Sequence, residues 1–410
     1  MASILSKTLN LPALPLGLRL ASAVVAVVLL AALNLAVTRP VPVPARAVWP
    51  DVGKAIVTEA PTLVASGRIP MPEDTPAAHA SSLLALPATS KSALLAFRFA
   101  GEGESAPDVG IASSQFDRAK QQWAPAQWVV NRHDAAEQLG FGLRRIGNPV
   151  AWLDARGNVH LFVVATGLGG WAAGRIVHLR QKDSGAGPAG PGASAANADV
   201  DPPMLAFDAI RALPLSWLWN TSDLVRTSPL PLADGGMLLP VYFELGIKYP
   251  LALRFDARGE FVGMTRISNR KDLLQPTLLM KSDTEWLALM RDKGPARKVA
   301  VAATADGGRH WNDQPNLALD NTDSSIAGLA LAPGAMFVAH NSSIGSRSVL
   351  DLSRSADGSH WQPVTNLARG GNADEFSYPA LAWADEGLWV SYTDRRQAIA
   401  WQRFAFSPSP

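Results

Sequence analysis

A chain of 410 residues with 37 Lys and Arg against 35 Asp and Glu carries a formal charge of +2. That is too near neutral for a protein that grips a phosphate backbone, so nucleic acid is not an expected partner. Cysteine is absent, which excludes disulfides, thiolate metal sites and a cysteine nucleophile, and 33 Gly with 31 Pro but no short period favour many turns between short strands.

The first predicted element is an uncharged apolar run, Leu20 to Val37, preceded by Lys7 and Arg19. At about 1.5 Å rise per residue, a helix over this run nearly crosses a ~30 Å hydrocarbon core. The stretch Pro44–Ala47 (PARA) offers a small-x-small cleavage pattern, but it lies beyond a Pro-rich spacer, farther from the run than cleavage normally falls. The reading is therefore an uncleaved single-pass signal anchor over 20–38 in the inner (cytoplasmic) membrane. Residues 1–19 are then cytoplasmic and the rest of the chain periplasmic or extracellular, although Arg39 and Arg46 weaken the positive-inside signal. Residues 39–76, rich in Pro and Ala, read as a linker ending in an outer strand.

From there to the C-terminus short alternating runs recur, among them ALLAFRFA, VHLFVVAT, LLPVYFEL, WLALMR, KVAVAA and LWVSYTD. No amphipathic helix of convincing length interrupts them, so the chain is all-β. The segment 184–203 is a low-complexity Gly/Ala/Pro insert and reads as a disordered surface loop. One turn repeats: TADGGRHW (Thr304–Trp311) and SADGSHW (Ser355–Trp361), with weaker copies RFDARGEF (Arg254–Phe261) and SSQFDRAKQQW (Ser113–Trp123). Asp256, Asp306 and Asp357 lie about fifty residues apart, the repeat length of an array of small sheets such as propeller blades. In such a turn the carboxylate accepts backbone N–H bonds, glycine supplies the positive φ, and the Trp folds back to fill the gap between sheets. Asp306, Trp311, Asp357 and Trp361 are accordingly structural.

This pattern resembles the Asp-box (BNR) repeat of the sialidase superfamily, which implies a six-bladed β-propeller over 77–407. Tyr378, in FSYPAL, matches the segment whose tyrosine is the nucleophile in those enzymes. A neutral phenol activated by a base avoids the repulsion that an anionic nucleophile would meet from the substrate carboxylate. Arg291 in EWLALMR and Arg347 in HNSSIGSR match two of the three arginines that hold that carboxylate, a task suited to planar, permanently charged, bidentate guanidinium groups. At the place of the third arginine stands His79, in AAHASSLLAL, while SGRIP (Ser66–Pro70) lies too far upstream and reads as a decoy. The glutamate that activates the tyrosine is replaced by Gln275, whose amide cannot accept the phenolic proton. The resemblance implies an acid/base from the loop GEGESAPDVG, where Asp108 aligns with the following strand and leaves Glu102 or Glu104 nearest the acid position. The motifs HA, GNPV, GLGGW, LLPVYFE, QPTLL and SYPAL further resemble a divergent branch described as predicted neuraminidases. That likeness implies Glu244 as an inward carboxylate, His79 as a proton-transferring group titrating near neutrality, and Asn148, Asn341 and Trp171 as pocket-lining residues.

Three functions are compatible with these residues. The first is a membrane-anchored exo-glycosidase acting on acidic sugars of a glycan or exopolysaccharide, with Tyr378, Arg291 and Arg347 at the site and Glu244 or His79 as base. The second is a uronate polysaccharide lyase that uses His79 and Tyr378 as base and acid. The third is a non-catalytic carbohydrate-binding or assembly propeller that keeps the pocket without turnover. No cofactor is expected, and the seven His show no paired metal-ligand spacing.

Overall fold

The computed structural model describes residues 15–37, 42–104, 106–167, 169–182, 205–216 and 220–408. The insert anticipated at 184–203 lies outside them, as does most of the segment 1–19. The apolar run forms a helix, Leu16–Val37, beginning one turn earlier than the charge-free stretch and carrying Arg19 in that first turn. Its 22 residues span about 33 Å at 1.5 Å per residue. The window Leu16–Leu33 is apolar and long enough to cross a membrane.

The remaining strands form six antiparallel sheets, and the protein is a six-bladed, all-β propeller. Written from the inner strand outward, blade 1 is Ala77–Ala85, Ser92–Gly101 and Gly110–Asp117, with the short pieces Gln122–Trp123 and Gln127–Val130. Blade 2 is Arg145–Leu153, Val159–Thr166, Gly174–Gln181 and Phe207–Ala212. In blade 3 the inner edge is broken into Asp223–Val225 and Leu230–Pro231, followed by Met237–Phe243, Tyr249–Phe255 and Phe261–Arg266. Blade 4 is Leu273–Met280, Trp286–Asp292, Ala300–Thr304 and Asn312–Gln314, and blade 5 is Ala327–Ala332, Ala335–Asn341, Val349–Ser355 and Gln362–Arg369. Blade 6 has Phe376–Ala384, Gly387–Asp394 and Ala398–Ala405, and borrows its fourth strand, Thr62–Arg68, from before blade 1. Arg68 of SGRIP thus sits on an outermost strand, where it pairs with Asp394 at 2.6 Å.

Both faces of each blade are covered by neighbours, so strands such as Ser92–Gly101 and Leu273–Met280 are buried at every residue. This is why their sequences read as near-continuous apolar runs. The repeated turns join the third and fourth strands of their blades. Asp306 accepts from Thr304 Oγ1 at 3.0 Å and the His310 N–H at 2.9 Å, and Asp357 accepts from the Ser359 and His360 N–H groups at 2.8 Å. Trp311 and Trp361 each donate an indole N–H to the preceding turn's glycine carbonyl at 3.1 Å. Gly358, at φ 80°, has no room for a side chain: a Cβ there would stand 2.3 Å from Leu287 Cδ1 of blade 4. Glycine is what lets one blade's turn rest on the next.

Residues 45–58 do not form the free tether that a Pro/Ala-rich linker suggests. Ala45 donates to Gly307 O, Ala47 to Asp283 O and Val48 to Pro231 O, at 2.8–3.1 Å. Trp383 Nε1 then donates to Asp51 O at 2.8 Å, and Ile56 N to Ser407 O at 2.9 Å. The segment is a strap that crosses the Asp-box face from blade 4 through blade 3 to blade 6. A short helix, Arg132–Leu139, also interrupts the strands, capped by the Asn131 side chain at its start and by left-handed Gly140 (φ 72°) at its end.

Blade 2 encloses a buried chain in which Asp154 Oδ2 meets His160 Nε2 at 3.2 Å and His160 Nδ1 meets His178 Nε2 at 2.8 Å. Burial lowers the pKa of both histidines, and of His79 and His340, below the ordinary value. Unfolding returns each to about 6.5, so the unfolded chain binds more protons below that pH and the fold loses up to about 1.4 kcal/mol per pH unit for each. One buried carboxyl, Asp223, acts in the opposite sense. The urea midpoint should therefore be flat from pH 8 to 7 and fall steeply between pH 6.5 and 5. A midpoint unchanged down to pH 5 would contradict the neutral, buried state of these rings.

Candidate active site

The inner strands of four blades lose register with their neighbours at corresponding places: between His79 and Ser82, Gly147 and Val150, Leu274 and Thr277, and Ser377 and Ala380. Inside each irregularity one residue takes a left-handed backbone: Ala80 (φ 53°), Asn148 (47°), Gln275 (49°) and Tyr378 (52°). Such a conformation costs a side-chain-bearing residue roughly 1–3 kcal/mol and persists only where the surroundings impose it. A bulge re-aims the side chain it carries, and three of these four are polar. In blade 3 the inner edge breaks after Val225 and Arg226 emerges there, while in blade 5 Asp323 (φ 57°) precedes the inner strand. All six blades thus deliver a residue from the N-terminal end of the inner strand. The Asp boxes lie at the other ends of the strands.

Tyr378 is the hub of this cluster. Gln275 Nε2 donates to the Tyr378 hydroxyl at 3.4 Å and to Tyr242 Oη at 3.5 Å, while Gln275 Oε1 accepts from Arg291 at 3.2 Å. The Arg226 guanidinium lies 5.0 Å from the centre of the Tyr378 ring and that of Arg347 lies 5.9 Å from it. His79 packs against the same ring, with centroids 4.2 Å apart. Its ring is buried, and neither nitrogen has a hydrogen-bond partner among the described residues. Burial, reinforced by the Arg396 charge and opposed by Glu375, holds its pKa well below the ordinary histidine range, so the ring is neutral.

The arginines are fixed by carboxylates and carbonyls. Arg291 Nε donates to Asp323 at 2.5 Å; burial alone would lower its pKa, but Tyr378 and Asp323 outweigh this and raise it. Arg347 spans Glu375 Oε1 and Asp323 O, both at 3.0 Å. Glu375 also accepts from Arg396 Nε at 2.7 Å and Ser377 Oγ at 2.6 Å; burial pushes its pKa up, yet these donors and Arg347 hold it at about 2. Arg226 is wholly buried and joins three blades, donating to Ser81 O at 3.2 Å and Pro379 O at 3.0 Å. Burial lowers its pKa to about 10, still fully cationic at neutral pH.

Of the residues expected from sequence, Tyr378, His79, Gln275, Arg291 and Arg347 are brought together. Trp171 lies against the strand that bears Asn148: a Cβ on Gly147 would stand 2.7 Å from its ring. Glu104 is at the rim, in an ion pair with Arg396. Asp108 caps its own loop by accepting from the Glu102 N–H at 2.7 Å. Glu244 is half-buried, and its charge acts on Tyr242, whose phenol burial and then Glu244 push upward. Asn341 is not free to line a pocket; its amide nitrogen is committed to Val349 O (2.8 Å), Phe376 O (2.7 Å) and Arg347 O (3.4 Å), which steadies the segment carrying Arg347. Sequence reasoning missed Arg226, Tyr242, Asp323, Glu375 and Arg396. Their signal was positional: Arg226, Asp323, Glu375 and Arg396 flank an irregular strand start or lie in a loop at that end of the propeller, and Tyr242 stands near the C-terminal end of the second strand of blade 3.

Residues 92–390 match the BNR repeat-like domain family. The chain belongs to this family. No curated protein matches this BNR repeat-like chain by sequence. Among solved structures, the Hadza microbial sialidase Hz136 is similar with a TM-score of 0.61 at 15% identity, over 80% of this chain and 66% of that one. Trypanosoma rangeli sialidase in complex with the inhibitor DANA has a TM-score of 0.63 at 12% identity, over 83% and 60%. A protein of unknown function from Dyadobacter fermentans DSM 18053 has a TM-score of 0.61 at 13% identity, over 85% of this chain and all of that one. At these identities the likeness is one of fold, and the chain spans 66% of the length of the first sialidase and 60% of the second.

Asp223 opens the inner edge of blade 3, three residues before Arg226, and burial raises its pKa to about 7. A carboxyl with folded pKa near 7 and unfolded pKa near 3.8 destabilises the fold above pH 7 and has no effect below about pH 4. Asp223→Asn should therefore raise unfolding free energy at pH 8 by on the order of 2–4 kcal/mol, with the gain vanishing by pH 4. Chemical denaturation at the two pH values measures it, and an equal effect at both would refute a buried ionisable role.

Proposed function

We propose that this BNR repeat-like protein is a membrane-anchored, sialidase-like glycoside hydrolase acting on acidic sugars at the ends of a glycan or exopolysaccharide. The observation that carries the proposal is the convergence of Arg226, Arg291 and Arg347 on the phenol of Tyr378. A carboxylated sugar entering this site meets guanidinium groups already oriented by Asp323 and Glu375, so little ordering remains to be done on binding. Arg291 and Arg347 take the sugar carboxylate, while buried Arg226 keeps positive potential behind the ring.

In the first chemical step the Tyr378 oxygen forms a bond to the anomeric carbon as the bond to the leaving oxygen breaks, and that oxygen takes a proton from the rim carboxyl, Glu104, once Glu104 has left its ion pair with Arg396 and been protonated. Water then breaks the tyrosyl–sugar bond with the proton path reversed. Gln275 orients the phenol but cannot take its proton. His79 is the proposed base: it is neutral and packed on the same ring, and its nitrogens, without a hydrogen-bond partner among the described residues, have to turn to the phenolic oxygen to take the proton. Glu244 is the alternative. The N-terminal helix is proposed to be an uncleaved anchor in the inner membrane, with the propeller on the periplasmic side.

The amide at position 275 favours a second reading, in which the site binds acidic carbohydrate without turnover. Assay against a panel of terminal acidic glycans, scored for free sugar and for the ultraviolet absorbance of an unsaturated lyase product, separates the possibilities. Tyr378→Phe should lower kcat by at least about 10³-fold with ligand affinity changed less than about threefold. No turnover by the native chain, with binding intact, would select the binding protein.

The depressed pKa of His79 sets the pH dependence of hydrolysis. A base must be unprotonated, so the acid limb of kcat/KM should lie clearly below 6.5. An acid limb at 6.5 or above would assign the base elsewhere.

A further inference from the structure

The mouth of the arginine cluster is unevenly charged. It is bounded by the turns joining second to third strands and by the loops leading into the inner strands, both at the end of the sheets that bears Tyr378. Around blades 5 and 6 the cations are neutralised: Arg347 and Arg396 by Glu375, Arg396 also by Glu104, and Arg395 by Asp374 and Asp394. Around blades 3 and 4 they are not. Arg270 holds Asp292 at 3.3 Å and Lys298 holds Asp320 at 2.6 Å, but Lys248, Arg266, Lys271, Lys293 and Arg297 have no ion pair among the described residues. Asp313 is occupied by Ser268 Oγ and by the Asn269 N–H at 3.3 Å. Glu244 and Asp272 are the carboxylates left to face those five cations, so this side of the mouth carries an excess of positive charge.

The loops that carry these cations form one ledge. The Asp272 N–H donates to Lys248 O and the Lys293 N–H to Asp272 O, each at 3.1 Å. The turn of blade 3, the loop into blade 4 and the turn of blade 4 are thereby laced backbone to backbone. The ledge runs into the site, because Lys293 follows Arg291 by two residues. Arg297 O also accepts from Asn321 N at 2.9 Å, two residues before the Asp323 carboxylate that holds Arg291. Lys271, Lys293 and Arg297 are exposed, while Lys248 and Arg266 are half-buried, the latter over the Tyr249 ring at 4.2 Å. Cations gathered without carboxylates repel one another until a ligand supplies negative charge. One sugar carboxylate, held by Arg291 and Arg347, leaves all five unused.

We propose that the ledge on blades 3 and 4 binds the continuation of an acidic polysaccharide beyond its terminal residue. The substrate class is then a polymer with negative charge on consecutive sugars, not a lone acidic cap on a neutral glycan. This deepens the reading of the arginine cluster as an acidic-sugar site and rests on it. Hydrated cations at a rim attract a polyanion over a distance, raising its capture rate and local concentration, and their effect falls as salt rises.

The test measures binding to the full chain by calorimetry, with Tyr378→Phe present throughout to stop turnover. The probes are hexamers of sialic acid and of galacturonic acid, and lactose capped with one sialic acid. At low salt one hexamer or both should bind at least about tenfold more tightly than the capped lactose, with a steeper loss as salt is added. Lys248→Gln/Lys271→Gln/Lys293→Gln/Arg297→Gln should abolish that advantage and leave affinity for the capped lactose within about twofold. Should this variant lose its melting transition, the pairs Lys248→Gln/Lys271→Gln and Lys293→Gln/Arg297→Gln carry the test, each with a partial loss. A matched set in the strap and in turns at the Asp-box end, Lys54→Gln/Lys120→Gln/Arg258→Gln/Arg309→Gln, should change neither ligand. The proposal is overturned if neither hexamer exceeds the capped lactose, if the matched set costs as much, or if an oligothymidylate of equal charge binds as tightly as the hexamers. Arg347→Ala tests the underlying reading separately and should weaken both kinds of ligand. Capped lactose bound equally well without Arg347 would show that the cluster is not the acidic-sugar site, and the ledge's role would fall with it.

Discussion

The strained bulge at the head of the inner strands is the constraint on which the site depends. A regular strand alternates its side chains between the two faces of its sheet, so a propeller built only of regular strands would present backbone, not chemistry, to its axis. Loss of register at Ala80, Asn148, Gln275 and Tyr378 turns residues out of that alternation, with the left-handed backbone as the cost. The neighbouring sheets impose it. Arg226, donating to carbonyls of blades 1 and 6 from blade 3, ties the bulged segments to one another across the axis. The same packing that makes the ring stable thereby preorganises the pocket.

Charge is arranged with equal economy. Four guanidinium groups lie around or behind one tyrosine, yet Asp323 and Glu375 neutralise part of that charge and set its direction. Where no carboxylate balances a cation, as at Arg226, backbone carbonyls and the face of the Tyr378 ring do so instead. Burial, and then the neighbouring cations, lower the pKa of His79 and keep its ring neutral well below the usual histidine range. An arginine at its position would have added a fifth guanidinium to a volume that already holds four. The histidine and the four arginines are thus parts of one electrostatic arrangement.

The architecture was legible because it repeats. Asp306 and Asp357 sit in turns whose carboxylate, glycine and tryptophan have one local job, and a local job leaves a local motif. Tyr378, Gln275, Arg291 and Arg347 were legible through their motifs as well. Arg226 was not, because SDLVRTSP contains nothing to distinguish a buried axial cation from a surface one; its meaning comes from Ser81 and Pro379, far away in sequence. Glu375 and Arg396 were hidden for the same reason. Asn341 shows the converse: a polar residue beside a motif was taken for a pocket wall, when its amide secures the backbone that carries Arg347. The Pro/Ala-rich segment reads as a linker because its composition lacks periodicity, whereas Ala45, Ala47, Val48 and Ile56 donate their backbone N–H groups to carbonyls of the propeller.

Blade 6 is completed by Thr62–Arg68, a strand made before any inner strand, laid against Ala398–Ala405, which follows all the inner strands in sequence. During synthesis on the ribosome the early strand has to wait, its edge unsatisfied, until Ala398–Ala405 has emerged. Closure is therefore a late event spanning the longest loop in the molecule, where the entropic cost is paid before its reward arrives. A chaperone that shields an open sheet edge would have its clearest opportunity in that interval, and a nascent chain that stalls in the sixth blade would remain an unclosed crescent.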